Sequence, residues 1–283
     1  MSIRNNEDRV GAPIQDIAPV EQMAEKSENF SFTTPTEFVE LPTKGRFYSE
    51  DHPLYNQDTV EIRYMTAKDE DILTSQSLLK KGIAIDRLLQ NIIIDKNIKV
   101  DELYTGDKNA IVVATRITGY GDDYSARLTC QSCGSSEEYN FNLSDLKIDY
   151  GESSKELNVE KTENNTFIFE LPTSKVNVEI RLLTGKDERA LIKLSEKRKK
   201  LKMSEAPLTD QFKLIISSVN NNQDPQVIES FIEKMPALDS RYLRGIYARI
   251  TPNIDLTQEV TCSSCDNDTE VQLPFTVDFF WPK

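Results

Sequence analysis

Thr129-Cys130-Gln131-Ser132-Cys133 returns as Thr261-Cys262-Ser263-Ser264-Cys265, and that return decides how the rest of the chain is read. The two pairs hold all 4 cysteines of the 283 residues. Toward the N-terminus, four more strings recur in the same order. Glu40-Leu41-Pro42-Thr43 returns as Glu170-Leu171-Pro172-Thr173, and Val60-Glu61-Ile62-Arg63 as Val178-Glu179-Ile180-Arg181. Thr66-Ala67-Lys68-Asp69-Glu70 returns as Thr184-Gly185-Lys186-Asp187-Glu188. Ala114-Thr115-Arg116-Ile117-Thr118 is echoed by Tyr247-Ala248-Arg249-Ile250-Thr251. Five matches in one order predict an internal duplication. A period above about 100 residues excludes solenoid and propeller arrays.

Each half reads with one grammar. Residues 59–65 and 177–183 alternate as half-buried strands. Thr66 and Thr184 then cap helices, each with an aspartate three residues on, and the first of these helices is expected to run to Gly82. Second helices are expected over 86–95 and 210–218, and third ones over 107–118 and 240–250. The second half adds a helix over 225–234, with Pro225 in its first turn. Hairpins over 124–141 and 256–273 close the halves, with Cys-x-x-Cys at each turn. The expected fold class is α+β: internally duplicated strand–helices–hairpin units, pseudo-twofold, joined at a four-cysteine zinc site. The expected organisation is a flexible arm over 1–30, repeats over 31–149 and 166–283, and an acidic, Ser/Asn-rich linker over 150–165.

Two residues between paired cysteines let both sulfurs reach one ion at about 2.3 Å, and four thiolates complete the tetrahedral shell that zinc prefers. The expected ligands are Cys130, Cys133, Cys262 and Cys265. The 128 residues between the pairs exceed the spacing of a simple zinc ribbon, which the duplication explains by giving each repeat one knuckle. Such a closed shell is structural rather than catalytic. Redox dithiols are the rival reading, but that chemistry places Cys-x-x-Cys at a helix start, not in a strand–turn–strand. Free thiols or disulfides remain a third reading.

Composition narrows the function. With 34 Lys and Arg against 47 Asp and Glu, the net charge is -13, which opposes phosphate backbones and anionic lipid. No apolar run approaches the roughly 18 residues of a membrane span. Met1 to Val10 has no apolar core of a secretory signal, and so few cysteines suit a reducing cytoplasm. His52 is the sole histidine, and no phosphate loop, dinucleotide fingerprint or zinc-protease motif is present. Asp69, Glu70 and Asp71 are explained by a helix N-terminus, where negative charge is favoured. His52 is expected to be solvated on a surface loop. The run Lys193 to Lys202 reads as a solvated helix face or a basic stripe. Contact surfaces are expected where the repeat breaks: the arm Met1 to Glu28, the aromatic loop Lys44 to Asp58, and Phe279-Phe280-Trp281-Pro282.

The string Phe38-Val39-Glu40-Leu41-Pro42-Thr43-Lys44-Gly45-Arg46-Phe47-Tyr48, followed by Ile62 through Leu73, Leu78 through Gly82 and Arg116-Ile117-Thr118-Gly119-Tyr120-Gly121, resembles the baseplate hub protein family of T4-like contractile-tailed phages. The likeness covers much of 38–150 and loosens in the second half. It implies a non-enzymatic structural or assembly component of the tail baseplate hub, with other phage tail and baseplate proteins as partners and no catalytic residues. It also implies location in the virion tail baseplate, after assembly in the host cytoplasm. Oligomeric state is left open. The alternatives are a zinc-ribbon nucleic-acid binder, disfavoured by the acidic charge, and a thiol oxidoreductase.

Overall fold

Strand β1 (Thr36–Glu40) pairs antiparallel with β2 (Thr59–Arg63), placing Val39 opposite Val60. The structure, a computed structural model, describes residues 33–152, 157–273 and 277–280. The expected arm over 1–30 and Trp281-Pro282 lie outside the described residues. The loop from β1 to β2 folds back on itself at Gly45, whose φ is +68° and where a Cβ would stand 2.3 Å from the Leu54 carbonyl oxygen. Only glycine fits there. Phe47, Tyr48 and Leu54 of this loop are buried. The expected aromatic contact surface is therefore largely core, because these rings gain more by packing on the chain's own interior than by waiting for a partner.

Helices α1 (Ala67–Thr74), α2 (Gln76–Lys80) and α3 (Ala84–Ile92) follow. The single helix expected up to Gly82 is broken at Ser75, whose ψ of 105° is extended. The Thr74 hydroxyl donates to the carbonyls of Glu70 and Asp71, the kind of side-chain competition that ends a helix. The chain then crosses through α4 (Thr105–Tyr120) into β3 (Asp123–Thr129), β4 (Ser136–Asn142) and β5 (Ile148–Asp149).

The second half opens with β6 (Glu160–Lys161), β7 (Phe167–Glu170) and β8 (Asn177–Ile180). Helices α5 (Gly185–Lys200) and α6 (Pro207–Ile215) come next, then β9 (Ile216–Val219), α7 (Pro225–Lys234) and α8 (Ala237–Ile250). Strands β10 (Asn253–Ile254), β11 (Thr257–Thr261) and β12 (Asp268–Gln272) lead to a short 3-10 turn, Val277–Phe280. Mixed α and β structure is thus built from eight α-helices and small antiparallel sheets among the described residues. The helix expected up to Ser218 stops at Ile215, because Ile216–Val219 joins β6, β7 and β8 as the edge of a four-stranded sheet. There the β-branched Ile216 and Val219 find buried partners. At the matching place in the first half, Ile93 makes a single bridge with Ile62.

The recurring strings carry matching polar contacts in the two halves. Arg63 grips both Asp69 carboxylate oxygens at 2.6 and 3.0 Å, and the amide and hydroxyl of Thr66 donate to the same carboxylate. Arg181 grips Asp187 at 2.7 and 2.8 Å, with the Thr184 amide and hydroxyl in the same places. The Thr43 amide and hydroxyl donate to Asp107, while the Thr173 and Ser174 amides donate to Asp239. An interval of 132 residues separates Asp107 from Asp239 and also Cys130 from Cys262. The match of Arg116 with Arg249 is one residue out of step with that interval, and one residue turns a helix by about 100°. Arg116 is accordingly 1% exposed and donates to the carbonyls of Phe279, Gly121 and Asp123. Arg249 lies outside and binds Glu152.

Two hydrophobic clusters form, and each takes residues from both halves. The first joins residues such as Leu41, Ile62, Leu88 and Ile111 to Ile254, Leu256, Leu273, Phe279 and Phe280. The second gathers Phe169, Val178, Phe212 and Leu243 around Phe47 of the first half. Phe279 and Phe280, expected as contact aromatics, are instead core. In the expected linker, Leu157 and Val159 enter the second cluster, and Glu160–Lys161 pairs with β7.

Candidate metal centre

The β3–β4 and β11–β12 ladders set the cysteines at hairpin ends, with Thr129 opposite Ser136 and Thr261 opposite Asp268. Both turns close with the same two backbone bonds. The Cys130 amide donates to Ser135 and the Gly134 amide to Cys130; the Cys262 amide donates to Asn267 and the Asp266 amide to Cys262. Each turn needs one left-handed residue, supplied by Gly134 (φ +77°) and Asp266 (φ +50°). The four sulfurs that result lie within 4.8 Å of one another. Cys130 Sγ is 3.8 Å from Cys265 Sγ, and Cys133 Sγ is 3.7 Å from Cys262 Sγ. These separations are far beyond the roughly 2.05 Å of a disulfide bond. They suit an ion in tetrahedral thiolate coordination, whose bonds of about 2.3 Å imply tetrahedron edges of about 3.8 Å.

Electrostatics show how tightly the sulfurs are gathered. The Ser135 hydroxyl lies 3.1 Å from Cys133 Sγ and 3.2 Å from Cys262 Sγ. Its hydrogen bond pulls the Cys133 thiol down to about 6 and lowers Cys262 too. The Asn267 amide also works to lower Cys265. Contact with the Cys133 sulfur, burial and the other two sulfurs outweigh it, and that thiol is pushed up to about 12. Four sulfurs this close cannot all ionise without a cation among them.

A carboxylate outside the set ties the hairpins together. Glu137 of β4 accepts from the Ser264 hydroxyl at 2.8 Å and the Ser263 amide at 3.1 Å, and these bonds bring its pKa down to about 2. The Tyr139 hydroxyl reaches the Thr261 carbonyl at 3.4 Å. Ser135, Glu137 and Tyr139 escaped the sequence reading because the matching positions in the second hairpin are Asn267, Thr269 and Val271. The repeat pattern therefore carries no signal for them.

The other singled-out groups take structural places. His52 is not solvated: its side chain is 10% exposed and stacks on Tyr48 at 4.3 Å, while Nδ1 accepts from the Leu54 amide. Burial lowers its pKa. Asp69 is fully buried against Arg63, Thr66 and Asn91. In the basic run, Arg198 is spent on Asp210 and Lys199 lies 3.9 Å from Glu205. No helix among the described residues is long and apolar enough to cross a membrane.

Neither the curated proteins nor the solved structures yield a match to the chain. Over residues 34–281 it matches the family described as T4 bacteriophage base plate protein, and the chain belongs to that family of phage baseplate proteins.

Proposed function

We propose that this chain is a non-enzymatic structural or assembly component of the baseplate hub, acting through contacts with other tail proteins. In this reading one structural zinc ion on Cys130, Cys133, Cys262 and Cys265 joins two duplicated units, 31–149 and 166–283. The observation that carries it is the meeting of the two hairpin ends, whose cross-hairpin sulfur distances, 3.7 and 3.8 Å, match the edge length of a zinc–thiolate tetrahedron. Exchanging the hairpins turns one distance into the other, as a local twofold requires. The duplicated Arg–Asp–Thr clusters and the shared aspartate–loop contacts support the same ancestry.

A zinc ion here would hold the fold rather than perform chemistry, because four thiolates fill its shell. The thiol-exchange reading is not favoured: both pairs sit in strand–turn–strand hairpins, not at helix starts. No observation favours nucleic-acid binding. Two measurements test the proposal. Gently purified full-length protein is expected to contain one equivalent of zinc, and well below about half an equivalent would remove the metal reading. The chain is also expected in purified tails, in density at the hub. Density elsewhere in the baseplate would remove the hub assignment and leave the family membership untouched.

A further inference from the structure

We propose that the outer face of α8 is a docking groove for an extended, acidic segment of a neighbouring tail protein, an inference that rests on the baseplate reading above. Pro172, Leu238, Arg241, Tyr242 and Ile246 line an open groove of about 510 Å³. Leu238 is 67% exposed and Tyr242, though it packs edge-on against Phe169, is 37% exposed, so two large apolar side chains four residues apart show on one helix face. Bare neighbouring apolar groups rimmed by polar ones mark an interaction site more often than scattered single residues do.

The form of the occupant is indicated by α4. Positions 132 residues earlier, Gly106, Asn109 and Ala110, lie on the corresponding face of that helix. There the face is closed by an extended segment of the chain itself. Pro252 runs so near Gly106 that a Cβ would meet its carbonyl oxygen at 2.0 Å, and Asn109 donates to the Asn253 side chain at 3.1 Å. On α4 small residues admit an extended strand. On α8 large ones wait for a segment that brings its own pockets.

Charge indicates the chemistry of the occupant. The chain is strongly acidic overall, yet this groove is bordered by Arg241 and Arg249. Arg249 already receives the Glu152 carboxylate through two guanidinium hydrogen bonds, from a stretch just beyond β5. No ion pair occupies Arg241 among the described residues. A second carboxylate on an extended segment would fit there, and planar guanidinium–carboxylate pairing would fix its register.

The experiment uses the full chain in assembling tails. The double variant Leu238→Asp/Arg241→Glu is first checked for wild-type melting temperature and metal content. It is then expected to enter tails at about one-tenth of the wild-type level or less, the loss typical of a central interface anchor. In parallel, a photo-crosslinking phenylalanine analogue replaces Tyr242. The expected adduct joins it to a carboxylate-bearing stretch of a different tail protein. Three results would overturn the groove: wild-type entry of a folded double variant, an adduct only with a second copy of this chain, or an adduct to a stretch without carboxylates. Absence of the wild-type chain from tails would instead overturn the baseplate reading, and the groove's partner with it.

Discussion

Helices α4 and α8 begin alike and finish differently. Both carry at their third residue an aspartate that receives the amides of a Glu-Leu-Pro-Thr turn. From there α4 is wrapped on all sides: Ala110, Val112 and Val113 are buried as well as Ile111. Helix α8 buries only one stripe, Asp239, Leu243, Ile246 and Ile250. The same start therefore serves a central strut in one half and a surface helix in the other. The lesson is that a local motif specifies how a helix is entered, while long-range packing specifies what it meets.

The largest effect should come from the proposed zinc joint between the two hairpins. Cys262→Ser should lower the melting temperature more than any other single change here, because about 10 kcal/mol of zinc-binding energy becomes folding energy in closed thiolate sites. Scanning calorimetry with and without a chelator checks this. If wild type is indifferent to the chelator, the joint is not metal.

Next come swaps at matched positions. Ala110→Tyr places in α4 the side chain found at position 242, and in a close-packed interior the overfilling should cost about 3 kcal/mol. The reverse change, Tyr242→Ala, should cost under about 1 kcal/mol, the scale of its edge contact with Phe169. Denaturant midpoints decide it, and equal costs would erase the contrast between the helices.

The aspartates sharpen the comparison further. Asp107 accepts from Thr43 twice and from the Tyr48 hydroxyl, so Asp107→Ala strands three buried donors and should cost about 3 kcal/mol. Asp239→Ala strands two amides and should cost about 2 kcal/mol.

Their pH dependences should run in opposite directions, with smaller amplitude. Burial raises the Asp107 pKa against the pull of the Thr43 and Tyr48 bonds. Its contribution is present below the unfolded-state value of about 3.9 and is lost as pH rises through the raised folded value. Burial also works to raise Asp239, but its bonds from Ser174 and Thr173 prevail and the pKa is lowered. That contribution is present above about 3.9 and is lost as pH falls through the depressed value. Between pH 3 and neutrality, then, Asp107→Asn should gain on wild type as pH rises, while Asp239→Asn should fall behind. Parallel curves would show that the two carboxyls share one environment after all.

Much of this was legible along the chain, because it depends on residues close in sequence. Thr66 with Asp69, Thr184 with Asp187, and the two knuckles announce themselves within six residues, and period-2 alternation marks the strands beside them. The cysteine set was legible as a set, since only four exist and their pairs are alike. Most of what the sequence left open depends on partners that only folding brings together. The early end of α6 follows from the strand opposite it, and the inward turn of Phe47, Phe279 and Phe280 from the clusters they join. The break at Ser75 instead turns on the local competition of the Thr74 hydroxyl. Glu137 could not be recognised as a bridge before folding brought Ser263 and Ser264 to it. Arg116 and Arg249 carry the same residue in nearly the same string, yet a one-residue offset from the helix start sends one into the core and the other to the surface. Local hydrogen-bond geometry is written in the sequence by itself; which face of an element is covered is decided only when the whole chain has chosen how to bury its apolar surface.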